Sequence, residues 1–447
     1  MSTPRRPDEV EAVLSGAGRR GVIGRGLGRC YGDAAQNAGG DVAVMTGLDR
    51  ILDVDLGAGT VTLEAGVSLD RLMRTVVPMG FWPAVTPGTR QVTVGGAIGS
   101  DVHGKNHHRD GTFGSHVRSM ELVSPELGPL TLTPDATPDE FWATTGGMGL
   151  TGLIRQATVD LIPVETASIR VDSVRAGDLD TTMSLMAERD QRYRYSVAWI
   201  DCLARGTSLG RSIIEWGDHA RLDDLPPGSR SADRALRFSP IDSVPAPPWA
   251  PSGLLNRWTV AAFNEMWYRK APRRAEGHLV ALSAFFHPLD LVSGWNRIYG
   301  SRGFLQYQFV VPDGEETTLR RIIEDLVSHR CASFLAVLKR FGAADPGPLS
   351  FPRPGWTLAL DLPVAFGELA GLLDRMDQLV VEAGGRVYLA KDSRLRPELL
   401  EVMYPQLPRW REVRERLDPH RLMRSDLSRR LPALTDPASP GAQGRDR

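Results

Sequence analysis

Residues 87–115 read PGTRQVTVGGAIGSDVHGKNHHRDGTFGS, with seven glycines around a polar core of Asp101, His103, Lys105, Asn106, His107 and His108. Glycine at this density costs backbone entropy on folding, so a loop that merely turned the chain would rarely carry it. Its physical use is to bring backbone N–H groups close to a ligand, most often a phosphate. A second glycine run, Gly24-Arg-Gly-Leu-Gly-Arg-Cys-Tyr-Gly-Asp33, precedes it, and a third, Gly146-Gly-Met-Gly-Leu-Thr-Gly152, follows. Three such loops in about the first third of the chain predict a cradle for a large phosphorylated cofactor.

The chain has 447 residues, enough for two domains or more, and its apolar (42%) and charged (24%) fractions are ordinary for a globular protein. With 53 basic against 54 acidic side chains the net charge is −1, which offers no field for nucleic acid. Cys30, Cys202 and Cys331 lie far apart, so neither a disulfide framework nor a structural zinc site is expected. No apolar run reaches the ~18–20 residues of a membrane span. The opening MSTPRRPDEVEAVL lacks the apolar core of a secretory leader. A cytoplasmic or membrane-peripheral location is expected.

Residues 20–165 read as an α/β region. Gly21-Val-Ile-Gly, Val42-Ala-Val-Met, Ile51–Asp55 and Thr60–Glu64 are strand-like, Ser68 caps a helix that Pro78 and Gly80 end, and Pro138–Trp142 starts another. Beyond Ile162 the glycine loops stop. Strand-like Tyr195–Ile200 and Phe304–Val311 then alternate with helical runs at Thr318–His329 and Phe366–Ala383, a second α+β unit. Within it, Ser243–Trp258 is too proline-rich to be regular throughout, and Ala261–Tyr268 adds exposed-looking aromatics. A lid or an ordered surface connection would both suit this stretch. After Thr435 the small, polar tail predicts disorder.

Other readings of the loops fail on particular residues. Gly99–Asn106 approaches the P-loop pattern, but Asn106 stands where Ser or Thr would hold Mg²⁺. Arg29 and Tyr31 occupy the third-glycine positions of a dinucleotide fingerprint. His103 and His107 have metal-ligand spacing for a helix, yet the glycines around them oppose a helix and no third ligand is evident, so no metal is expected. Tight turns without a ligand would explain scattered glycines, but not their clustering with Arg, His, Lys and Asn. A further polar knot, Gly384–Arg394, contains Lys391, which on its own reads as a solvated lysine after a strand.

Taken in order, GRGLGRCYGD, PGTRQVTVGGAIGSDVHGKNHH, GFLQYQFV, PLSFPRPGW and YLAKDSR resemble the flavin subunits of decaprenylphosphoryl-β-D-ribose 2′-epimerases. These are oxidases of the vanillyl-alcohol-oxidase, PCMH-type class of FAD proteins. The resemblance runs from about Gly21 to Leu431; HGKNHH with YLAKDSR is its specific part, whereas VGGAIG marks only the broader class. It implies an α+β fold in which a two-part PCMH-type FAD-binding domain (1–167 and 386–435) carries an inserted α+β substrate domain (168–385) built on an antiparallel sheet. Residues 436–447 would be a disordered tail.

The resemblance further implies that Gly24, Arg25, Gly26, Leu27, Gly28, Arg29, Cys30, Tyr31, Gly32 and Asp33 wrap the cofactor. Gly88, Thr93, Val94, Gly95, Gly96, Ser100, Asp101, Val102 and His103 would line it, with Ile154 and Tyr388 nearby. Arg29 stands where some members attach FAD through histidine, so noncovalent FAD is expected, although Cys30 leaves a cysteinyl link conceivable. The implied reaction oxidises the ribose 2′-hydroxyl of a polyprenylphosphoryl-ribose to a ketone, for arabinan in the cell wall. A separate NADH- or NADPH-dependent keto-reductase subunit would complete the epimerisation. Lys391 and His103 are both candidates for the base, with Tyr31, Lys105, Gln308, Lys339, Ala359 and Tyr388 completing the substrate pocket. Related enzymes can carry cysteine at the position of Ala359. The segment 243–268 would be a gate near the membrane face, where the protein makes peripheral contact. The rival reading is a soluble alditol or aldonolactone oxidase that uses oxygen.

Overall fold

The computed structural model describes residues 1–240, 244–245, 256–331, 333–364 and 367–435. The tail 436–447 and most of the proline-rich stretch expected to act as a gate lie outside the described residues.

The short strand-like runs of the N-terminal third pair into a six-stranded sheet. Its order is Ile51–Asp55, Thr60–Glu64, Leu153–Pro163, Val117–Ser124 and Gly128–Leu132, with Phe81–Pro83 also pairing Leu153–Pro163. Every pairing within it is antiparallel. This corrects the α/β reading of residues 20–165. Tight turns between residues 55 and 60, and between 124 and 128, leave no room for the long crossover that a parallel pair needs. In this region parallel pairing occurs between Val22–Arg25 and Asp41–Val44, beside the first glycine loop. The caps form where hydroxyls precede helical runs. Ser68 Oγ accepts from the Arg71 amide at 3.1 Å, and Thr93 Oγ1 accepts from Gly96 at 3.2 Å, starting helices Leu69–Val76 and Val94–Gly99.

The second sheet has eight strands, all antiparallel, in the order Arg274–Ala281, Ser168–Ala176, Ser212–His219, Tyr195–Ile200, Ala336–Phe341, Gly355–Pro363, Phe304–Pro312, Arg386–Val387. Period-two alternation gives this sheet two distinct faces. On Phe304–Pro312, Tyr307 turns toward the helix Leu369–Glu382, where its hydroxyl donates to Asp377 at 2.8 Å. Gln306 and Gln308 turn to the opposite face, toward the glycine loops.

The two ends of the chain meet. The Val22 amide donates to Leu422 O and the Arg424 amide to Val22 O, both at 2.9 Å, so the C-terminal segment extends the N-terminal unit. This is the α+β, PCMH-type arrangement. The boundary drawn at 385/386 cuts through hydrogen-bonded structure, because Arg386–Val387 is the edge strand of the larger sheet. Among the described residues no helix is long and apolar enough to cross a membrane.

Candidate active site

A cavity of about 780 Å³ lies between the two sheets, within the size range of sites for organic ligands. One arm is walled by backbone. Gly24, Gly26 and Gly28 come from the first glycine loop, Gly88, Gly95, Gly96 and Gly99 from the second, and Gly149 and Gly152 from the third. These loops touch so closely that side chains would not fit between them: a Cβ on Gly26 would stand 2.2 Å from Thr93 Oγ1. At Gly88, by contrast, a Cβ would enter open space. A groove of exposed backbone leading to a polar chamber suits a flat ring carrying a pyrophosphate tail, so the residues present fit FAD.

The other arm is walled by the larger sheet. Gln308, Ala359 and Val337 stand opposite one another in one cross-strand row; Gln306 pairs with Asp361 in the row on one side, and Lys339 with Thr357 on the other. Lys391 enters from the turn after Tyr388, its Nζ 5.8 Å from the Tyr31 ring centre. Burial lowers the Lys391 ammonium to about 8, against the opposing pull of Asp361. Lys339 falls to about 7, first through burial and then through repulsion from Lys391 and Lys105. Lys391 lines the chamber beside Tyr31 and does not stand free on the surface, which corrects its reading as a solvated lysine. The turn following its strand packs against the first glycine loop, where the Tyr31 amide donates to Ala390 O at 3.1 Å. Asp361 is itself pushed up to about 6 by burial and accepts from Gln306.

His103 is held in one state by a chain of donors. Thr357 Oγ1 donates to Phe309 O at 2.8 Å, so it must accept from Gln308 Nε2 at 3.0 Å. The second amide proton of Gln308 then points at His103 Nε2, also 3.0 Å away. That fills the Nε2 lone pair and leaves the proton on Nδ1. Burial, then Lys339, Lys391 and His107, holds the imidazole well below its ordinary value, so it is neutral. Phe341, Phe351 and Tyr388 surround the ring.

Of the residues expected at the cofactor, Arg25, Leu27, Arg29, Cys30, Tyr31, Thr93, Ser100, Val102, Ile154 and Tyr388 also reach the cavity wall. Five expected site residues do not. Gly32 packs on the backbone of Asp392, and Asp33 is clasped by Arg430 through two contacts of 2.9 Å. Val94 opens its helix pointing into the core. Asp101 is fully buried and accepts from the Gly114 amide and Ser350 Oγ, tying two loops together. Lys105 turns away past Gly104, donates to Phe285 O at 2.6 Å and lies 4.0 Å from the Phe285 ring centre. It staples the glycine loop to the second unit.

Sequence reasoning missed Gln306, Trp295, Asn296 and Asp290 on the wall. A signal existed for the first: Gln306 and Gln308 are two apart in the apolar strand FLQYQFVV, which marks one polar face. Asp290 is fixed by the Thr89 hydroxyl at 2.7 Å and the Arg90 amide at 2.8 Å.

Fold and cavity together define an FAD-dependent oxidoreductase. The FAD binding domain family matches residues 2–129, and the D-arabinono-1,4-lactone oxidase family matches residues 369–431. The chain is 46% identical to the decaprenylphosphoryl-β-D-ribose oxidase of Mycolicibacterium smegmatis over 430 residues, which cover 95% of this chain and 92% of that protein. It belongs to that family. It is also 42% identical to an uncharacterized Streptomyces coelicolor protein, over 82% of this chain and all of the other. An L-gulono-1,4-lactone dehydrogenase of Mycobacterium tuberculosis is more distant, 24% identical over 96% of this chain and 94% of its own.

Proposed function

We propose that this chain oxidises the 2′-hydroxyl of a polyprenylphosphoryl-β-D-ribose to the ketone, and that a separate NADH- or NADPH-dependent reductase subunit completes the epimerisation. FAD supplies the hydride acceptor. Lys391 is the base: its depressed ammonium loses a proton readily and its amine faces the chamber. The Nε2 lone pair of His103 is already engaged by Gln308, so His103 serves as a neutral, fixed wall. Lys339 meets the anionic phosphodiester, whose charge restores the proton that burial tends to remove. The observation that carries this reading is the meeting of Lys391, Lys339 and Gln308 in one chamber at the end of a glycine-walled groove.

FAD is held without a covalent bond. Arg29 donates its Nε to Gln91 O at 3.2 Å, and its guanidinium has no free lone pair with which to attack a flavin as an imidazole can. Burial raises the Cys30 thiol, which keeps it protonated and a poor nucleophile. Acid precipitation should leave all flavin in the supernatant, and anaerobic titration with a short prenylphosphoryl-ribose should bleach the flavin band stoichiometrically. A band bleached by simple polyols and not by the prenylphosphoryl sugar would sink this reading in favour of an oxygen-using soluble oxidase.

Ala359 leaves the sheet wall of the chamber without sulfur, Cys202 and Cys331 are buried, and Cys30, which does reach the cavity, has its thiol held protonated by burial. Thiol-directed covalent inhibitors should therefore neither label nor inactivate the enzyme. Stoichiometric labelling by mass spectrometry that tracks loss of activity would contradict this.

A further inference from the structure

We propose that the outward face of the helix Arg257–Lys270 docks this protein on an anionic lipid bilayer. Among the described residues the exposed tryptophans are Trp258 and Trp267, at 71% and 42% exposure, and Met266 between them is 57% exposed. At helical spacing, Trp258, Ala262, Met266, Arg269 and Lys270 share one half of the surface, while Val260 and Asn264 are buried on the other. Asn264 anchors the inner face by donating to Asp201 at 2.7 Å.

The charges are one-sided. Residues 256–276 carry five cations, Arg257, Arg269, Lys270, Arg273 and Arg274, against two acids. Both acids are neutralised locally: Glu265 pairs with Arg211 at 2.7 Å and with Arg269, and Glu276 pairs with Arg274. Aromatic side chains beside cations with long apolar stems suit the headgroup layer, where rings sit at the interface and ammonium groups meet lipid phosphates. A protein partner would also accept the apolar residues, but the excess of five cations over two acids selects an anionic surface.

The patch adjoins the site. Phe263 stacks on Trp267 with centroids 6.0 Å apart and packs on Phe334 at 4.9 Å; the chain neighbour of Phe334, Leu335, lines the cavity. Docking by this face would hold the chamber beside the bilayer in which a polyprenyl substrate resides. This purpose rests on the proposed reaction, but binding itself needs no substrate.

The test is flotation of the flavin-loaded full chain with vesicles of phosphatidylcholine, with and without phosphatidylglycerol. Wild type should float with the anionic vesicles and release as salt rises. Trp258→Ala with Met266→Ala, the two large apolar side chains on that face, should weaken partitioning at least tenfold. Lys270→Gln with Arg273→Gln should weaken it by about tenfold or more, on anionic vesicles only, since each interfacial cation contributes on the order of a fivefold gain. Both variants should keep flavin absorbance and short-substrate bleaching, which separates failed docking from failed chemistry. A wild type that stays at the bottom of the gradient, or variants that float as wild type does, would overturn the proposal.

Discussion

Replacing Lys391 by Gln should slow flavin bleaching by prenylphosphoryl-ribose about 10³-fold, in the middle of the range for loss of a positioned general base. Substrate affinity should change far less, because Lys339 remains to meet the phosphodiester. Single-turnover stopped flow separates the two effects, and a loss confined to apparent binding would show that Lys391 only positions substrate. The pH profile adds a second reading. Burial lowers Lys391 to about 8. Below that value the protonated ammonium has no lone pair, so the rate of bleaching should rise about tenfold per pH unit and level off above about 8. A rate that instead falls through 8 would mean that the cation, and not the amine, is the working form.

Gly32→Ala should yield protein largely free of FAD. The new Cβ would stand 1.7 Å from the carbonyl oxygen of Asp392, a backbone atom with no rotamer to yield. The first glycine loop would have to lift from the turn that carries Lys391. That would break the Tyr31 amide's bond to Ala390 O and displace Arg430, which joins Asp33 to Asp392 at 2.8 Å. Overpacking of this kind costs about 3 kcal/mol, near a hundredfold in FAD affinity. The ratio of visible to ultraviolet absorbance after purification, followed by FAD titration, measures it. Full flavin occupancy in the variant would show that the loop and turn are not the rigid unit described.

The glycine runs were legible as ligand-approaching loops because glycine density is a local property, and all three reach the cavity. The helix at Ser68 was legible for the same reason: its cap lies next to the residues it serves. What could not be read locally was side-chain direction within the polar knots. Asp101 and His103 are two residues apart, yet one is a buried tie between loops and the other faces the chamber. Lys105, beside a near-identical set of neighbours in sequence, points to Phe285. Positive φ at Asp101 and the tight approach of Gly104 to Thr86 O redirect the chain between them, and both follow from long-range packing.

The antiparallel pairing of the first sheet was lost to sequence reasoning in the same way, since alternating strands and helices do not state which strands become neighbours. By itself the sequence determined the three glycine loops, the caps, the strand periods and, through its motifs, the flavin family. Only the tertiary structure decided that Lys391 is desolvated, that Gln308 saturates His103, and that Lys105 and Asp101 serve the scaffold. Proton affinity and direction depend on partners distant in the chain, and those partners exist only once the two sheets have closed around one cavity.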